Sequence, residues 1–330
     1  MSPMQIKNIF FVLLTAVLAN SCDQSDQKTQ RFVPDSNGRI NSVTVVMPEQ
    51  DWQGELGKTT RELIGKAYEG LPLDEPQFSL NYMNPKVFTD FARHSRNILW
   101  FIKDSIPRFE LSQNQFARPQ IVARFSGEDA QIQNNYLIEN ASLINQTLIE
   151  SERQEKLRRI KKSKATDNVL KEKFGIDLIY PSAYKIFKEE EDFVWIQKPI
   201  QKGHLNFAVY TLPKAAMYGK VNQRIIALRD SIGKQHIPGR LPNTYMSTEE
   251  AYRPYFYKTT LQDRPTYLTK GMWDVAGDYM AGPFVNYMIL DAEKNRWVVL
   301  EGFAFAPSIS KREYMFELST ILSSVTFEKP

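Results

Sequence analysis

The only cysteine in the chain, Cys22, stands at the end of an apolar run, so no intrachain disulfide can form and the fold must be held by a non-covalent core. The chain has the means to build one. Of its 330 residues 42% are hydrophobic and 12% aromatic, and 42 Lys+Arg stand against 38 Asp+Glu. That composition is too apolar and too nearly neutral for disorder, and it contains no collagen-like repeat. The length favours two domains over one. After the N-terminus there is no long apolar span and no extreme charge, so neither a polytopic membrane protein nor a dedicated nucleic-acid binder is indicated.

Residues 1–21 read as an export signal. Lys7 supplies the positive flank, Ile9 to Ala19 form an apolar stretch too short to span a bilayer as a helix, and small Ser21 precedes Cys22. A cysteine in this place resembles the lipidation site of bacterial lipoproteins, whose thiol is diacylated and becomes the mature N-terminus. The commonest form of that signal has Leu where this chain has Ala19. The competing reading, an ordinary secretory signal, leaves a free thiol in an oxidising compartment. Residues 22–41, rich in Asp, Gln, Ser, Thr and Asn, are expected to form a flexible tether to a cell-envelope membrane, the outer membrane by preference.

Residues 42–165 alternate strand and helix patterns. Ser42 to Met47, Phe78 to Met83, Ile98 to Ile102 and Gln120 to Phe125 have the β-branched and apolar character of strands. Leu56, Leu63, Ile64 and Ala67 mark one helix, and Asn84-Pro85 reads as the start of another. Ser126 and Asp129 form a capping-box signal for a long helix reaching Lys164. From Glu152 to Lys164 this helix carries seven Lys or Arg against two Glu. Such a run contacts anionic lipid, polysaccharide or nucleic acid, or is the solvated end of a helix joining two domains. The second reading is preferred, because no aromatic residue is interleaved to stack on bases. Residues 166–330 read as an antiparallel meander, an amphipathic helix through Val221, Ile225, Leu228 and Ile232, two further strands, and a last helix with Ser310 and Glu313 as its capping box. The expected fold is α+β: an N-terminal α/β sandwich with a long basic helix, then an antiparallel sheet packed by helices.

Catalytic signatures are sparse. His94, His204 and His236 are far apart, no HExxH or G-x-S-x-G occurs, and neither a metal nor a cofactor is expected. Gly54 to Thr59 approaches a P-loop, but Trp52 occupies the place where the first glycine must stand, so the segment reads as a glycine-permissive helix start. The acidic run Glu189 to Asp192 reads as a solvated hairpin tip. The densest unusual stretch is Tyr252 to Phe284, with Arg253, Tyr255, Tyr257, Arg264, Trp273, Asp274 and Asp278 as candidate binding residues. Loops of this composition are frequent binding sites. Equally, the aromatic residues can alternate into a sheet core while the charges face water. Asp274 and Asp278 are also the candidates for an acid/base pair.

Several short motifs resemble a family of uncharacterised Bacteroidota lipoproteins. They are Trp52-x-Gly54-x-x-Gly57, Leu71-Pro72, Glu75-Pro76, Arg96-Asn97-Ile98-Leu99, Gly271-x-Trp273, Met280-x-Gly282-Pro283-Phe284 and Glu301-Gly302-Phe303. The resemblance spans nearly all of the mature chain; it implies an envelope location and a two-part body, and implies no activity. Tyr180-Pro181, the meander and the closing helix resemble the α/β/α sandwich of PsbP-like domains. The expectation is a membrane-anchored envelope lipoprotein that binds a protein or glycan partner, not nucleic acid, without catalysing a reaction. The alternative is an envelope hydrolase working through Asp274 and Asp278.

Overall fold

The computed structural model describes residues 33–328, so Cys22 and the signal preceding it lie outside the described residues. From Asp35 onward the chain forms one compact unit containing two large sheets. The first sheet has five strands, β1 (Ser42–Val46), β2 (Ser79–Met83), β3 (Asn97–Lys103), β4 (Arg108–Gln113) and β5 (Ile121–Gly127), ordered β2-β1-β3-β5-β4. All pairings are parallel except that of β4 with β5. The central strands are buried on both faces, which explains their continuous apolar runs. Strand β4 escapes the sequence reading, because its half-exposed RFELSQ has no strong apolar pattern.

Two short helices, α1 (Glu49–Gln53) and α2 (Glu55–Leu63), follow β1. A Cβ on Gly57 would stand 2.0 Å from the carbonyl oxygen of Trp52, so a glycine is required where the helices meet. Trp52 stacks on Tyr82 with ring centroids 5.5 Å apart, and Arg61 lies over the indole. The segment resembling a P-loop is thus a helix junction. Asn84 caps as expected, accepting from the Lys86 N–H, but it opens a 3₁₀ turn over Pro85–Val87 rather than an α-helix.

The long helix α3 (Ala130–Lys161) spans about 48 Å. Its cap is Asp129, which accepts from the Ile132 N–H at 2.9 Å, whereas Ser126 is buried inside β5. Leu137, Ile144 and Leu148 of α3 pack with Val43, Val45, Leu99, Phe101 and Phe125 on one face of the sheet. Phe88 closes a smaller core over Val46, Ile98 and Val122 on the other.

A short helix α4 (Val169–Phe174) and strand β6 (Ile176–Asp177) lead to the second sheet. Its strands are β7 (Lys185–Glu189), β8 (Phe193–Ile200), β9 (Gly203–Pro213), β10 (Met246–Thr248), β11 (Tyr255–Leu261), β12 (Arg264–Val275), β13 (Asp278–Asp291) and β14 (Arg296–Phe305). They run antiparallel in the order β10-β12-β13-β14-β9-β8-β7, with β11 also on β12. Helix α5 (Val221–His236) covers one face, where Ile225 meets Phe193, Trp195, Trp273, Phe284 and Phe303. Helices α4 and α6 (Arg312–Leu322) cover the other, against Val194, Phe207, Val285, Ile289 and Leu300. Alternate residues of each strand feed alternate cores, as a strand's period of two requires. The arrangement is an α/β/α sandwich, and the molecule as a whole is α+β. Among the described residues no helix is long and apolar enough to cross a membrane.

Two features depart from the sequence reading. Residues 35–41, placed in the tether by composition, are docked: Asp35 and Asn37 bridge to Arg118 and Ser95, and Ile40 and Asn41 are buried. The stretch from Tyr252 to Phe284 is chiefly strand, β11 and β12 turning at Gln262-Asp263, both at positive φ, before β13.

Polar clusters tie the elements together, and that of Glu317 joins the two sheets. Glu152 is fully buried on α3 and accepts from the Asn41 N–H, Arg96 and Asn97. Glu317 of α6 pairs with Lys156 of α3 and Lys198 of β8 and accepts from the Tyr184 hydroxyl. Burial alone would raise the Glu317 carboxyl, but the two lysines override it and hold it below its usual range. Much of the basic run Glu152 to Lys164 is therefore engaged within the molecule.

Candidate functional site

A cleft of about 640 Å³ opens where α5, β10 and the end of β12 converge. Asp230 comes from α5, Ser247 and Thr248 from β10, Asp274 from β12, and Glu249, Glu250, Tyr252 and Arg253 from the segment after β10. Antiparallel register sets Ser247 opposite Asp274, and the Ser247 hydroxyl donates to Asp274 Oδ1 at 2.8 Å. Asp230 Oδ1 accepts from the Thr248 N–H at 2.8 Å and from its hydroxyl at 2.7 Å. The Ala251 N–H donates to Glu249 Oε1 at 2.9 Å. Three carboxylates are thereby fixed through one oxygen each, and their second oxygens have no hydrogen-bond partner among the described residues. With Glu250, four acids line the cleft together with the cation of Arg253.

The floor is also polar. Arg229, 2% exposed, donates to the Thr248 hydroxyl at 2.8 Å and lies over the Phe284 ring. Its Nε stands 2.9 Å from Glu301 Oε1, but the N–H does not aim at that oxygen, so the contact is an ion pair rather than an aligned hydrogen bond. Burial pushes the Glu301 carboxyl up despite Arg229 beside it. Arg229 also stands 3.4 Å from Asp230 Oδ1, so the floor offsets part of the acidity of the cleft. Tyr252 on the wall has its phenol raised, first by burial and then by neighbouring Tyr255, so it is a neutral hydrogen-bond donor.

The sequence-selected residues divide among several places. Arg253 and Asp274 line the cleft. Trp273 does not face it: the indole is 3% exposed in the core against Phe303 and Phe305. Arg264 stands at the opposite end of β12, about 30 Å away along the strand, where it pairs with Asp291 at 3.0 Å and lies over Phe327. Tyr257 donates to Glu69 at 2.8 Å, and burial together with that bond pushes its phenol up to about 12. Lys270 shares Glu69, so this is a contact between the loop leading to β2 and the second sheet. Tyr255 is exposed on β11 opposite Lys270.

Asp278 is held through both oxygens by Arg240, at 2.9 and 2.5 Å, and those hydrogen bonds lower its carboxyl. A carboxylate fixed in its ionised form by an arginine is a poor proton donor, so Asp278 does not suit the acid's role in the expected pair. The acidic hairpin tip is likewise engaged, with Glu190 2.6 Å from His236 Nδ1 and 2.7 Å from Lys188. Asp230, Ser247, Thr248 and Glu249 were not selected from sequence. Asp230 and Asp274 are 44 positions apart, and only the edge pairing of β10 with β12 joins them. Among the described residues, no three His, Cys, Asp or Glu side chains group as metal ligands.

Comparison with solved structures finds the Ran-binding protein Mog1p of Saccharomyces cerevisiae, 7% identical, covering 46% of this chain and 90% of that one with a TM-score of 0.31. A Bacteroides thetaiotaomicron protein is 14% identical and covers 47% of this chain and 46% of its own, with a TM-score of 0.28. Likenesses this slight carry no argument about the present chain. No curated protein matches it. Residues 36–161 match the model of one domain family of unknown function (DUF8532), and residues 163–324 match that of another (DUF4837). The two regions of the chain thus each match an uncharacterised domain family.

Proposed function

We propose that the chain is a lipid-anchored protein of the bacterial envelope, of the Bacteroidota lipoprotein kind its motifs resemble, that binds a partner without catalysing a reaction. The cleft between α5, β10 and β12 is its recognition site, and the partner is a protein presenting a cationic segment. The observation that carries this is the set of three carboxylates, Asp230, Glu249 and Asp274, each fixed by one oxygen and offering the other to the cleft. Prefixed acceptors lose little freedom on binding, and charge-assisted hydrogen bonds from Lys or Arg are the strong ones. The sequence around Cys22 supports the anchor.

Fluorescence titration with a lysine-rich peptide, an acidic peptide and neutral cell-wall oligosaccharides tests this reading. Saturable binding of the cationic peptide is expected, weakened about tenfold by Asp274→Asn, which keeps an oxygen for Ser247 but removes the charge. Preference for a neutral oligosaccharide would replace the protein partner with a glycan. Binding indifferent to Asp274→Asn would remove the cleft from the account.

A further inference from the structure

The point where the chain joins the fold and the basic end of α3 lie together. Asp35 bridges to Arg118, the Ser36 N–H donates to the Arg118 carbonyl at 3.0 Å, and Arg159 donates to the Gly38 carbonyl at 3.2 Å. Thirteen positions separate Asp35 from Cys22, a span of at most about 45 Å. A lipid on Cys22 would therefore hold this end of the molecule within that distance of the bilayer.

The same end concentrates positive charge. Arg118, Arg158, Arg159, Lys161 and Lys162 are all exposed. Buried Glu155 takes Arg158 and Arg159 at 2.6 and 2.7 Å, and Asp35 acts on Arg158. Among the described residues no carboxylate forms an ion pair with Arg118, Lys161 or Lys162. A groove of about 880 Å³ between α3 and residues 113–121 carries Arg118, Arg158 and Lys161 on its walls beside Glu150 and the arginine-paired Glu155, with Ser151 and Gln154 as further hydrogen-bonding groups. Cations and neutral donors around one concavity suit phosphate oxygens.

We infer that this end of α3 is a membrane-docking face that meets anionic phospholipid headgroups and holds the folded body against the bilayer. The inference rests on the reading of Cys22 as a lipid anchor, which brings the patch to the surface; the headgroups then supply the opposing charge. A surface cation acts only within about 10 Å of its counter-charge at ordinary salt, and the short tether lets the patch reach that range.

The test uses the mature chain with Cys22→Ser, which carries no lipid, sedimented with vesicles of phosphatidylcholine alone or with about one-third phosphatidylglycerol at about 0.1 M salt. The expected result is binding to the anionic vesicles, roughly tenfold or more above the neutral ones and lost near 1 M salt. The double reversal Lys161→Glu with Lys162→Glu should lower it by at least about tenfold, with the circular dichroism spectrum unchanged. If that variant does not fold, Arg118→Gln replaces it, with about a fivefold loss expected. Equal binding to both vesicles, binding to neither, or a folded variant that binds like the parent would overturn the inference. Mass spectrometry of native protein reads the lipid on Cys22 separately, so a failed anchor and a failed docking face are told apart.

Discussion

Glu152 shows how much of this molecule depends on single charged side chains. Its carboxylate is fully buried and takes hydrogen bonds from the Asn41 backbone, Arg96 and Asn97 at 2.5 to 3.1 Å, joining the docked N-terminal segment to β3 and α3. Removing one partner of a buried pair strands the other, so Glu152→Ala should cost about 3–5 kcal/mol in urea unfolding. Glu155, one turn further on, gives a pH signature. Burial would raise it, but hydrogen bonds from Arg158 and Arg159 prevail and bring it down to about 2 from 4.5. The folded state thus binds this proton less tightly than the unfolded chain does. The stability it contributes is complete above about pH 4.5 and is lost as the pH falls toward 2. Glu317, also lowered, adds to the loss on the acid side. Urea midpoints followed from pH 6 downward should fall through this window, and Glu155→Gln should flatten part of the fall.

At the scale of elements, the last helix makes the same dependence visible across the sheets. The sequence offers Ser310 and Glu313 as a capping box for α6, yet the Lys311 and Arg312 N–H groups donate to Glu75, at 2.7 and 2.9 Å. Glu75→Ala should therefore destabilise the protein by about 1 kcal/mol, read as a lower thermal midpoint, with Ser310→Ala nearly neutral. Strands β3, β5, β8, β9 and β14 and helix α5 were legible because their apolar spacing alone specifies them. Strands β11 and β12 were not, because Arg, Tyr, Lys and Thr on a half-exposed edge give no clean alternation. The motifs that carry the family resemblance prove to be framework residues: Gly57 at a helix junction, Glu75 as a cap, Arg96 and Asn97 on Glu152, Glu301 against Arg229. Of the candidate site, Arg253 and Asp274 were legible from composition. Asp230 was not, since sequence alone does not say which strand edge lies beside α5.

For the whole molecule, a body of two sheets is tied by ion pairs, an acidic cleft stands at the edge of the larger sheet, and a lipid anchor on Cys22 is proposed. Cleft and proposed docking face belong to different elements, the middle of α5 with β10 and the end of β12 in one case and the end of α3 in the other, so each can be altered alone. The central claim is that the cleft is where a partner binds. The most direct measurement places a photo-crosslinking amino acid at Glu250, an exposed cleft residue, and at Glu293, an exposed position beside Arg264 at the opposite end of β12, in the full-length protein in cells. One defined partner protein crosslinked from position 250, through a Lys- or Arg-rich segment, and none from position 293 is the expected result. The same products from both positions, or none from position 250, would contradict it.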